Sequence, residues 1–265
     1  MNGNNNSLKS SLHKELTLVK RQEKKLLKKA GRYNRYGVGL SEKIPSKMKK
    51  ALQTAFSKAF GIVLDKGSAL IEKSYNKDGI VSDYQIMDFA VSTKGSRKQI
   101  RRLRNAVKKS DTVNMALTAA EGIGLGILGI GFPDVVLFTG MVLRGIYEVA
   151  MRYGYSYDTM QERFFILTLI RAALSGGADY ISADAQADDF INRQSNVDIL
   201  LVREQIQKAS DTFAESLLVA KFIQGLPVIG IVGGVFNPVY YDKILKYARL
   251  KYYKRYLTDR LDKLS

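Results

Sequence analysis

The chain contains few residues of the types that perform catalysis or bind transition metals. Its 265 residues include one histidine, His13, and no cysteine. Cysteine zinc sites, iron–sulfur clusters, thiolate nucleophiles and metal sites with two imidazoles are therefore excluded, and a Ser-His-Asp triad is disfavoured. Because His13 lies between Leu12 and Lys14 in a strongly basic segment, we interpret it as an exposed helix residue.

One glycine motif, at Gly124, Gly126 and Gly129, has the G-x-G-x-x-G spacing of a dinucleotide-binding fingerprint. That fingerprint holds a pyrophosphate only between a strand and the start of a helix. The residues before Gly124 have a helical pattern instead, and the chain has no P-loop with Gly-Lys-Ser/Thr. We therefore expect no cofactor.

Carboxylates provide the remaining chemical candidates. Glu121, Asp134 and Arg144 are charged residues in apolar segments, where burying an unpaired charge is costly. They predict either an internal ion pair, which we favour, or a polar site in an apolar cavity, which would suit a lipid-active enzyme. The aspartates between Asp179 and Asp189 could bind a divalent cation, but their order does not match an EF-hand. We interpret them as a solvated loop with helix caps that could face the basic N-terminal part, and we expect no metal.

The charge of the chain is strongly asymmetric. The formal net charge is +17, whereas residues 1–110 alone hold 26 basic and 8 acidic residues, a balance of +18. Residues 111–265 have a balance of −1, although the segment from residue 242 onward is basic again. A balance of this size indicates a polyanionic partner, either an anionic membrane surface or a nucleic acid.

Two predicted helices carry most of this charge. Ser7–Lys29 has an apolar stripe at steps of three and four and is typical of a basic amphipathic helix, while Ser96–Lys109 holds the densest basic cluster. Such helices bind anionic lipid headgroups, bind phosphate polymers, or cover a core with extended lysines. The residues predicted to bind an anionic surface are Lys20, Arg21, Lys24, Lys25, Lys28, Lys29, Arg97, Lys98, Arg101, Arg102, Arg104, Lys108 and Lys109.

Helical spacing dominates the pattern, so we predict an all-α fold, a compact bundle of roughly eight to ten helices. Pro45 begins the second helix, a long apolar helix follows Asp134, and Asp158 begins another. We expect a loop at residues 31–39, a polar connection around a short helix at 74–95, a helix at 196–224 and a basic C-terminal helix at 242–263.

Two glycine-rich apolar runs, 122–134 and 225–241, are predicted to form apolar helical hairpins. The uncharged stretch 222–241 is long enough to cross a bilayer, but Pro227 and Pro238 interrupt it, so neither run is typical of a simple transmembrane helix. Their Gly-x-x-x-Gly spacings allow close packing in a core, which we favour. The alternative is that the runs enter a lipid interface or line an apolar cavity.

Two sequence blocks, residues 118–158 and 226–257, resemble the EcsC family of bacterial proteins. The first block has a glycine-rich run ending in Pro-Asp, and the helix beginning at Pro45 also fits, so the resemblance covers roughly residue 45 to the end. The residues that carry it after the Pro-Asp are Leu143, Arg144, Ile146, Tyr153, Gly154, Ile229, Gly230, Asn237, Ala248, Arg249, Arg255 and Leu257.

The resemblance implies a helical bacterial protein of the cytoplasm or of the membrane periphery, linked to an ABC transporter, and it supplies no catalytic residues. We divide the chain into a basic N-terminal arm, 1–44, and a helical domain, 45–265. We expect peripheral association with anionic lipid at the inner face of the cell membrane, a membrane transporter as a further partner, and no enzymatic activity. The alternatives are the lipid-active enzyme and a nucleic-acid-binding protein, for which no recognisable motif accompanies the charge.

Overall fold

Helices make up the architecture in the computed structural model, which describes residues 2–41, 44–67, 71–72, 75–109, 133–193, 197–223 and 238–264. For residues 2–4, 32–41, 66–67, 109, 133–134 and 220–223 only the backbone is described. The α-helices in these ranges are α1 (Asn2–Ser41), α2 (Ser46–Ile62), α3 (Lys77–Lys94), α4 (Arg97–Lys109), α5 (Pro133–Arg152), α6 (Met160–Leu174), α7 (Gly177–Arg193), α8 (Ile199–Ile223) and α9 (Pro238–Asp262), with a π-helical turn at Val63–Gly67. The all-α prediction is confirmed, and both glycine-rich runs lie almost wholly outside the described residues.

The first helix is longer than the sequence indicated. The predicted loop at residues 31–39 is wrong, because α1 continues without a break to Ser41. Gly31, Gly37 and Gly39 each lower helix propensity by about 1 kcal/mol relative to alanine. Since no proline removes a backbone donor in this stretch, these penalties do not end the helix.

The apolar side of α1 packs onto the bundle. Leu8, Leu12 and Val19 are buried, and α1 contacts α3, α4, α7, α8 and α9. Near the start of the helix, Ser11 Oγ donates to the Gly95 carbonyl oxygen at 3.3 Å, which joins α1 to the connection between α3 and α4. α1 thus forms one side of the bundle, and the boundary predicted at residue 44 falls between α1 and α2.

An aromatic cluster joins α2, α5 and α8. Pro45 directly precedes α2, as predicted, and the buried face of α2 presents Phe56 and Phe60. The ring of Phe213, from α8, stacks on Phe56 with centroids 4.8 Å apart and meets the edge of Phe138, from α5, at 5.7 Å. Offset and edge contacts of this kind stabilise a core by about 0.5–1.5 kcal/mol beyond the buried area.

The short helix predicted within a polar connection at 74–95 is longer than expected and forms α3, which spans Lys77–Lys94. The Asn76 side chain accepts a hydrogen bond from Gly79 N at 2.9 Å at the start of α3, and Gly95, with a φ of 56°, ends it in the left-handed conformation. Only Ile80 and Val91 are buried along α3. An apolar stripe this thin is hard to distinguish from a polar loop in the sequence.

The acidic stretch that was predicted as a solvated loop is helix α7, which packs against α6 and α9. Its core side consists of small and aromatic residues at helical spacing: Tyr180, Ala183, Ala187, Phe190 and Ile191. Asp184 and Asp188 lie beside this stripe and bind side chains of α9. The aspartates therefore serve as internal counter-charges, which a solvated loop would not provide.

The C-terminal helix, α9, runs through the bundle and contacts α1, α4, α5, α6 and α7. Most of its residues from 244 to 257 are buried, and the side chain of Lys251 is 0% exposed. A buried charge without a partner costs several kcal/mol. Each buried cation of α9 therefore requires a carboxylate from a neighbouring helix.

Tyrosine and cation pairs on α9 satisfy this requirement. Three times, a tyrosine hydroxyl and a cation three or four residues further along the helix bind the same carboxylate, because that spacing places both side chains on one face. The three groups are Tyr247 and Lys251 with Asp184 of α7, Tyr252 and Arg255 with Glu162 of α6, and Tyr256 and Arg260 with Asp88 of α3.

A second set of ion pairs joins α9 to α1. Lys251 Nζ lies 2.7 Å from a carboxylate oxygen of Glu23, in α1, and Lys254 Nζ lies 2.9 Å from the same oxygen. Both lysines also reach Asp188 of α7, at 2.6 and 2.8 Å. Burial raises the pKa of Asp188, but the two lysines outweigh this effect and hold that pKa below its ordinary value.

None of the helices that the structure describes is both long and apolar enough to cross a membrane. α6 is largely buried and lies against α7, α8 and α9. Its start is set by Thr159, whose hydroxyl accepts a hydrogen bond from Glu162 N, one residue after the predicted start at Asp158.

Replacing Lys251 with alanine should destabilise the fold strongly, because Glu23, Asp184 and Asp188 would lose the cation that they share. We expect the free energy of unfolding to fall by about 3–5 kcal/mol, as when other buried ion pairs are broken. Urea denaturation followed by circular dichroism measures this loss. Lys263→Ala, at an exposed position after α9, is the control and should change it by less than about 0.5 kcal/mol. A loss of under about 1 kcal/mol for Lys251→Ala, typical of a surface pair, would contradict this account.

Candidate functional site

The basic residues predicted on α1 all face solvent. They form a row of exposed side chains along the helix: Lys20, Arg21, Lys24, Lys25, Lys28 and Lys29. The carboxylate within this row, Glu23, points inward and binds Lys251 and Lys254 of α9. The acidic residue of this stretch is therefore used inside the fold, and the outer side of α1 stays strongly positive.

Three of the arginines predicted on α4 converge on one buried carboxylate. Glu15 of α1 is 0% exposed and accepts hydrogen bonds from Arg97, from Arg101 at 3.0 Å and from Arg104 at 3.1 Å. Tyr253 of α9 donates to the same carboxylate at 3.0 Å. These arginines hold α1 against α4 and α9, a structural role that the surface-binding prediction did not include.

The cluster around Glu15 remains positive. Burial raises the pKa of Glu15, but hydrogen bonds from Arg97, Arg101 and Tyr253 and the charge of Arg104 outweigh burial and bring the pKa below its ordinary value. Glu15 is therefore ionised at neutral pH, and one negative charge faces three guanidinium groups. The arginines are still partly exposed, with 34–45% of each side chain accessible.

The side chains of the other predicted residues of α4 are described in three of four cases. Lys98, Arg102 and Lys108 are exposed, whereas the side chain of Lys109 lies outside the described residues. Together with the partly exposed arginines, they extend the positive surface of α1 onto α4, since the two helices are in contact.

The predicted buried polar site is only partly visible. Glu121 and the side chain of Asp134 lie outside the described residues. Arg144, on α5, pairs with Glu148 one turn further along the same helix, at 3.4 Å, and both side chains are largely buried. An internal pair at Arg144 thus exists with a partner that the sequence prediction did not name.

A cavity of about 670 Å³ opens between α1, α4 and α9, and the ends of α5 and α6 and the start of α7 complete its wall. Proteins typically bind small molecules in clefts of about 300–1,000 Å³. The three main helices each contribute cations: Lys25 and Lys29 from α1, Arg104 and Lys108 from α4, and Lys243, Lys246 and Arg249 from α9. Four of these seven belong to the residues predicted from the sequence.

No carboxylate belongs to the described lining of this cavity, which we call the α1–α4–α9 cavity. Acidic groups lie behind or beside the wall at Arg104, which binds Glu15, and at Lys246, which binds Asp242 at 2.5 Å. The described lining itself contains seven cations and no carboxylate. A lining of this composition favours a bound anion.

Lys243 and Arg249, two cations of the cavity wall, have pKa values below those of ordinary lysine and arginine side chains. Lys243 is accessible to water within a concave wall, yet the protein around it reduces its hydration. This burial, together with the positive charge of Lys29, lowers the pKa of Lys243 to about 8. Burial also lowers the pKa of Arg249.

Tyrosine rings and aliphatic side chains form the rest of the wall. Tyr153 and Tyr253 lie with centroids 5.9 Å apart, and the Arg104 guanidinium lies 5.7 Å from the centre of the Tyr253 ring. Burial raises the pKa of both tyrosines, so they stay neutral. Leu26 and Leu250 add aliphatic surface. The cavity can thus hold an anionic group and an apolar group together.

The cations that α9 contributes were not predicted as site residues. Lys243, Lys246 and Arg249 follow one another at steps of three, which places them along one side of the helix. That spacing is visible in the sequence, but basic residues continue along α9 to Arg260, and most of the later ones bind buried carboxylates. Only the packing separates the two groups.

Among the residues with described side chains, no cluster of three or more His, Asp or Glu could hold a metal ion. The acidic helix α7, the best candidate in the sequence, uses Asp184 and Asp188 to bind lysines of α9. The cations in the wall of the α1–α4–α9 cavity have the chemistry to attract an anion.

Comparison with known proteins supports one family. A family model described as the EcsC protein family matches residues 13–257, a range that begins within α1. Protein EcsC of Bacillus subtilis (strain 168) is 24% identical over 155 residues, which cover 57% of this chain and 63% of that protein. The aligned region is thus less than two thirds of that relative's length. No solved structure matches the chain.

Lys243 should titrate near pH 8. With lysines dimethylated by ¹³C-formaldehyde, the NMR resonance of its methyl groups, assigned by Lys243→Arg, reports this titration directly. Lys29→Gln should raise the pKa of Lys243, because it removes a neighbouring positive charge. Titration of Lys243 only above pH 10, or no change in Lys29→Gln, would contradict the description of the cavity.

Proposed function

The chain belongs to the EcsC protein family, and we propose that it functions as a peripheral protein that binds anionic membrane surfaces. The observation that carries this proposal is the row of exposed cations on α1, beside the cation-lined α1–α4–α9 cavity. We place this activity at the inner face of the cell membrane, where anionic lipids attract basic segments. Binding, rather than a chemical reaction, is the proposed activity.

The magnitude of the attraction supports a membrane partner. A basic residue close to an anionic membrane contributes about 1 kcal/mol. If three of the six cations in the row on α1 reach the surface, the attraction is about 3 kcal/mol, which corresponds to an increase in affinity of more than about a hundredfold. Exposed cations of α4 would add to this attraction, since α4 contacts α1.

The packing of α1 determines how it would meet a membrane. Its apolar residues Leu8, Leu12 and Val19 are buried in the bundle and are not available for insertion into lipid. Glu15 and Glu23 hold the helix in this orientation through arginines of α4 and lysines of α9. We therefore propose that α1 contributes electrostatic attraction, which salt weakens.

Two roles suggested by the sequence stay predictions. The lipid-active enzyme was expected to use Glu121 or Asp134 in an apolar cavity, and neither side chain is described; the lining of the α1–α4–α9 cavity holds cations instead. The accessory role beside a membrane transporter, which the family resemblance implies, is compatible with a location at the membrane.

Cosedimentation with vesicles tests the proposed function. The protein should bind vesicles of phosphatidylglycerol and phosphatidylcholine, and should bind pure phosphatidylcholine vesicles weakly or not at all. Lys20→Gln/Lys24→Gln should weaken binding to the anionic vesicles by about 2 kcal/mol, roughly 30-fold. Binding should also fall as the salt concentration rises.

Lys47→Gln/Lys50→Gln is the matched control, because both lysines are exposed on α2, which packs mainly against α5 and α8. It removes the same charge and should weaken vesicle binding much less than the α1 pair. Equal binding to anionic and neutral vesicles, or equal effects of the two pairs, would contradict the proposal. A much higher affinity for a DNA duplex than for anionic vesicles would favour nucleic acid instead.

A further inference from the structure

The α1–α4–α9 cavity is a concave site lined by cations, and electrostatic attraction to a membrane surface does not by itself require such a cavity. Surface adsorption needs only exposed charge, whereas this cavity brings cations from three helices around one concave, partly open volume of about 670 Å³. On the proposed function as its basis, we propose that the cavity binds a single lipid molecule by a phosphate monoester headgroup, with the start of its apolar tail against Leu26 and the aliphatic stems of the lining lysines.

The charge of the cavity favours a phosphate monoester. Lys29 and Lys243, from different helices, are close enough for their charges to repel. Arg249 lies in the same wall and is partly desolvated. A phosphate monoester carries about −1.5 to −2 charges at neutral pH, more than the single charge of a phosphodiester. It can therefore offset two of these cations at once and accept hydrogen bonds from each.

The size and the apolar wall of the cavity favour an amphiphile over free phosphate. A phosphate ion would contact cations but would leave the partly exposed Leu26 and the aliphatic stems of Lys25 and Lys29 in water. A ligand with an acyl chain would cover these surfaces, and each buried methylene group contributes about 0.8 kcal/mol. The tyrosines behind this surface are buried and neutral, so they add no charge to it.

The concave shape of the site disfavours a nucleic acid. α1, α4 and α9 each contribute cations to the wall, so these cations are grouped around one concave volume and not spread along a flat face. A duplex contacts proteins through phosphates spread along its length, which requires an extended basic surface. The outward row on α1 could offer such a surface, but Lys243 and Arg249 in the cavity wall could not.

Two pairs of lysines on α1 provide a sharp test. Lys25 and Lys29 line the cavity, whereas Lys24 and Lys28, one residue earlier in each turn, do not. All four are exposed, so Lys25→Gln/Lys29→Gln and Lys24→Gln/Lys28→Gln remove the same charge from the same helix without disturbing its packing. Equal melting temperatures of the two variants would verify this.

Isothermal titration calorimetry would use the full chain and dihexanoyl phosphatidic acid below its micelle concentration, so that no membrane is present. We expect one molecule bound per chain. Lys25→Gln/Lys29→Gln should weaken binding about tenfold or more, as expected for the loss of charge-assisted hydrogen bonds, and Lys24→Gln/Lys28→Gln should leave it nearly unchanged. Lys243→Gln should weaken it as well.

Three further ligands test which parts of the lipid the cavity recognises. Inorganic phosphate and dihexanoyl phosphatidylcholine should each bind much more weakly than the phosphatidic acid, because one lacks the tail and the other lacks the net charge. Equal affinity for inorganic phosphate would overturn the lipid assignment. Tighter binding of a short DNA duplex that competes for the same residues would overturn it too.

The outcomes separate this inference from the proposed function. Surface attraction to vesicles should be weakened similarly by the two lysine pairs, whereas binding of the soluble lipid should depend on the cavity pair. Failure of the short-chain lipid to bind, or equal effects of the two pairs on it, would overturn the cavity site while vesicle binding remained. Vesicle binding that fails while the soluble lipid still binds would instead overturn the proposed function.

Discussion

The buried positive charges of α9 need carboxylate partners, and this need determines how the other helices pack around α9. Lys251 is fully enclosed, and its position is tolerable only because Glu23 and Asp184 come to it from α1 and α7. Tyrosine hydroxyls strengthen the same arrangement, since each binds a carboxylate that also faces a cation. Because these acidic partners lie on α1, α3, α6 and α7, satisfying the charges of α9 fixes four helices around it.

The candidate site is a consequence of the same arrangement. From Lys251 onward the buried cations of α9 bind carboxylates of neighbouring helices, whereas Lys243 and Arg249, earlier in the helix, belong to the wall of the cavity. α1 closes that cavity because Glu15 and Glu23 turn inward, which leaves its lysines on the outer side and along the rim. The inward side of α1 thus carries the internal ion pairs, and its outward side carries the proposed anion-binding surface.

The sequence was sufficient for the class of fold and for part of the site. Helical periodicity predicted an all-α bundle, and charge density found Lys25, Lys29, Arg104 and Lys108 of the cavity. The sequence pattern did not show that Arg104 also binds a buried glutamate. Glu15 lies on another helix, and its position in the amphipathic pattern is typical of an exposed acidic residue. Helix α7 was missed because its polar aspartates hide a stripe of small residues, and these aspartates serve α9 rather than water.

Native-state hydrogen exchange of α1 tests the central claim most directly, namely that Glu15 and Glu23 hold α1 in place as the wall of the cavity. In the unaltered protein, amides around Val19 should be protected almost as strongly as those of α9. In Glu15→Ala/Glu23→Ala, α1 should lose protection while α6 stays protected, and binding of dihexanoyl phosphatidic acid should disappear. Rapid exchange throughout α1 in the unaltered protein, or full protection and full lipid binding in the variant, would contradict the account.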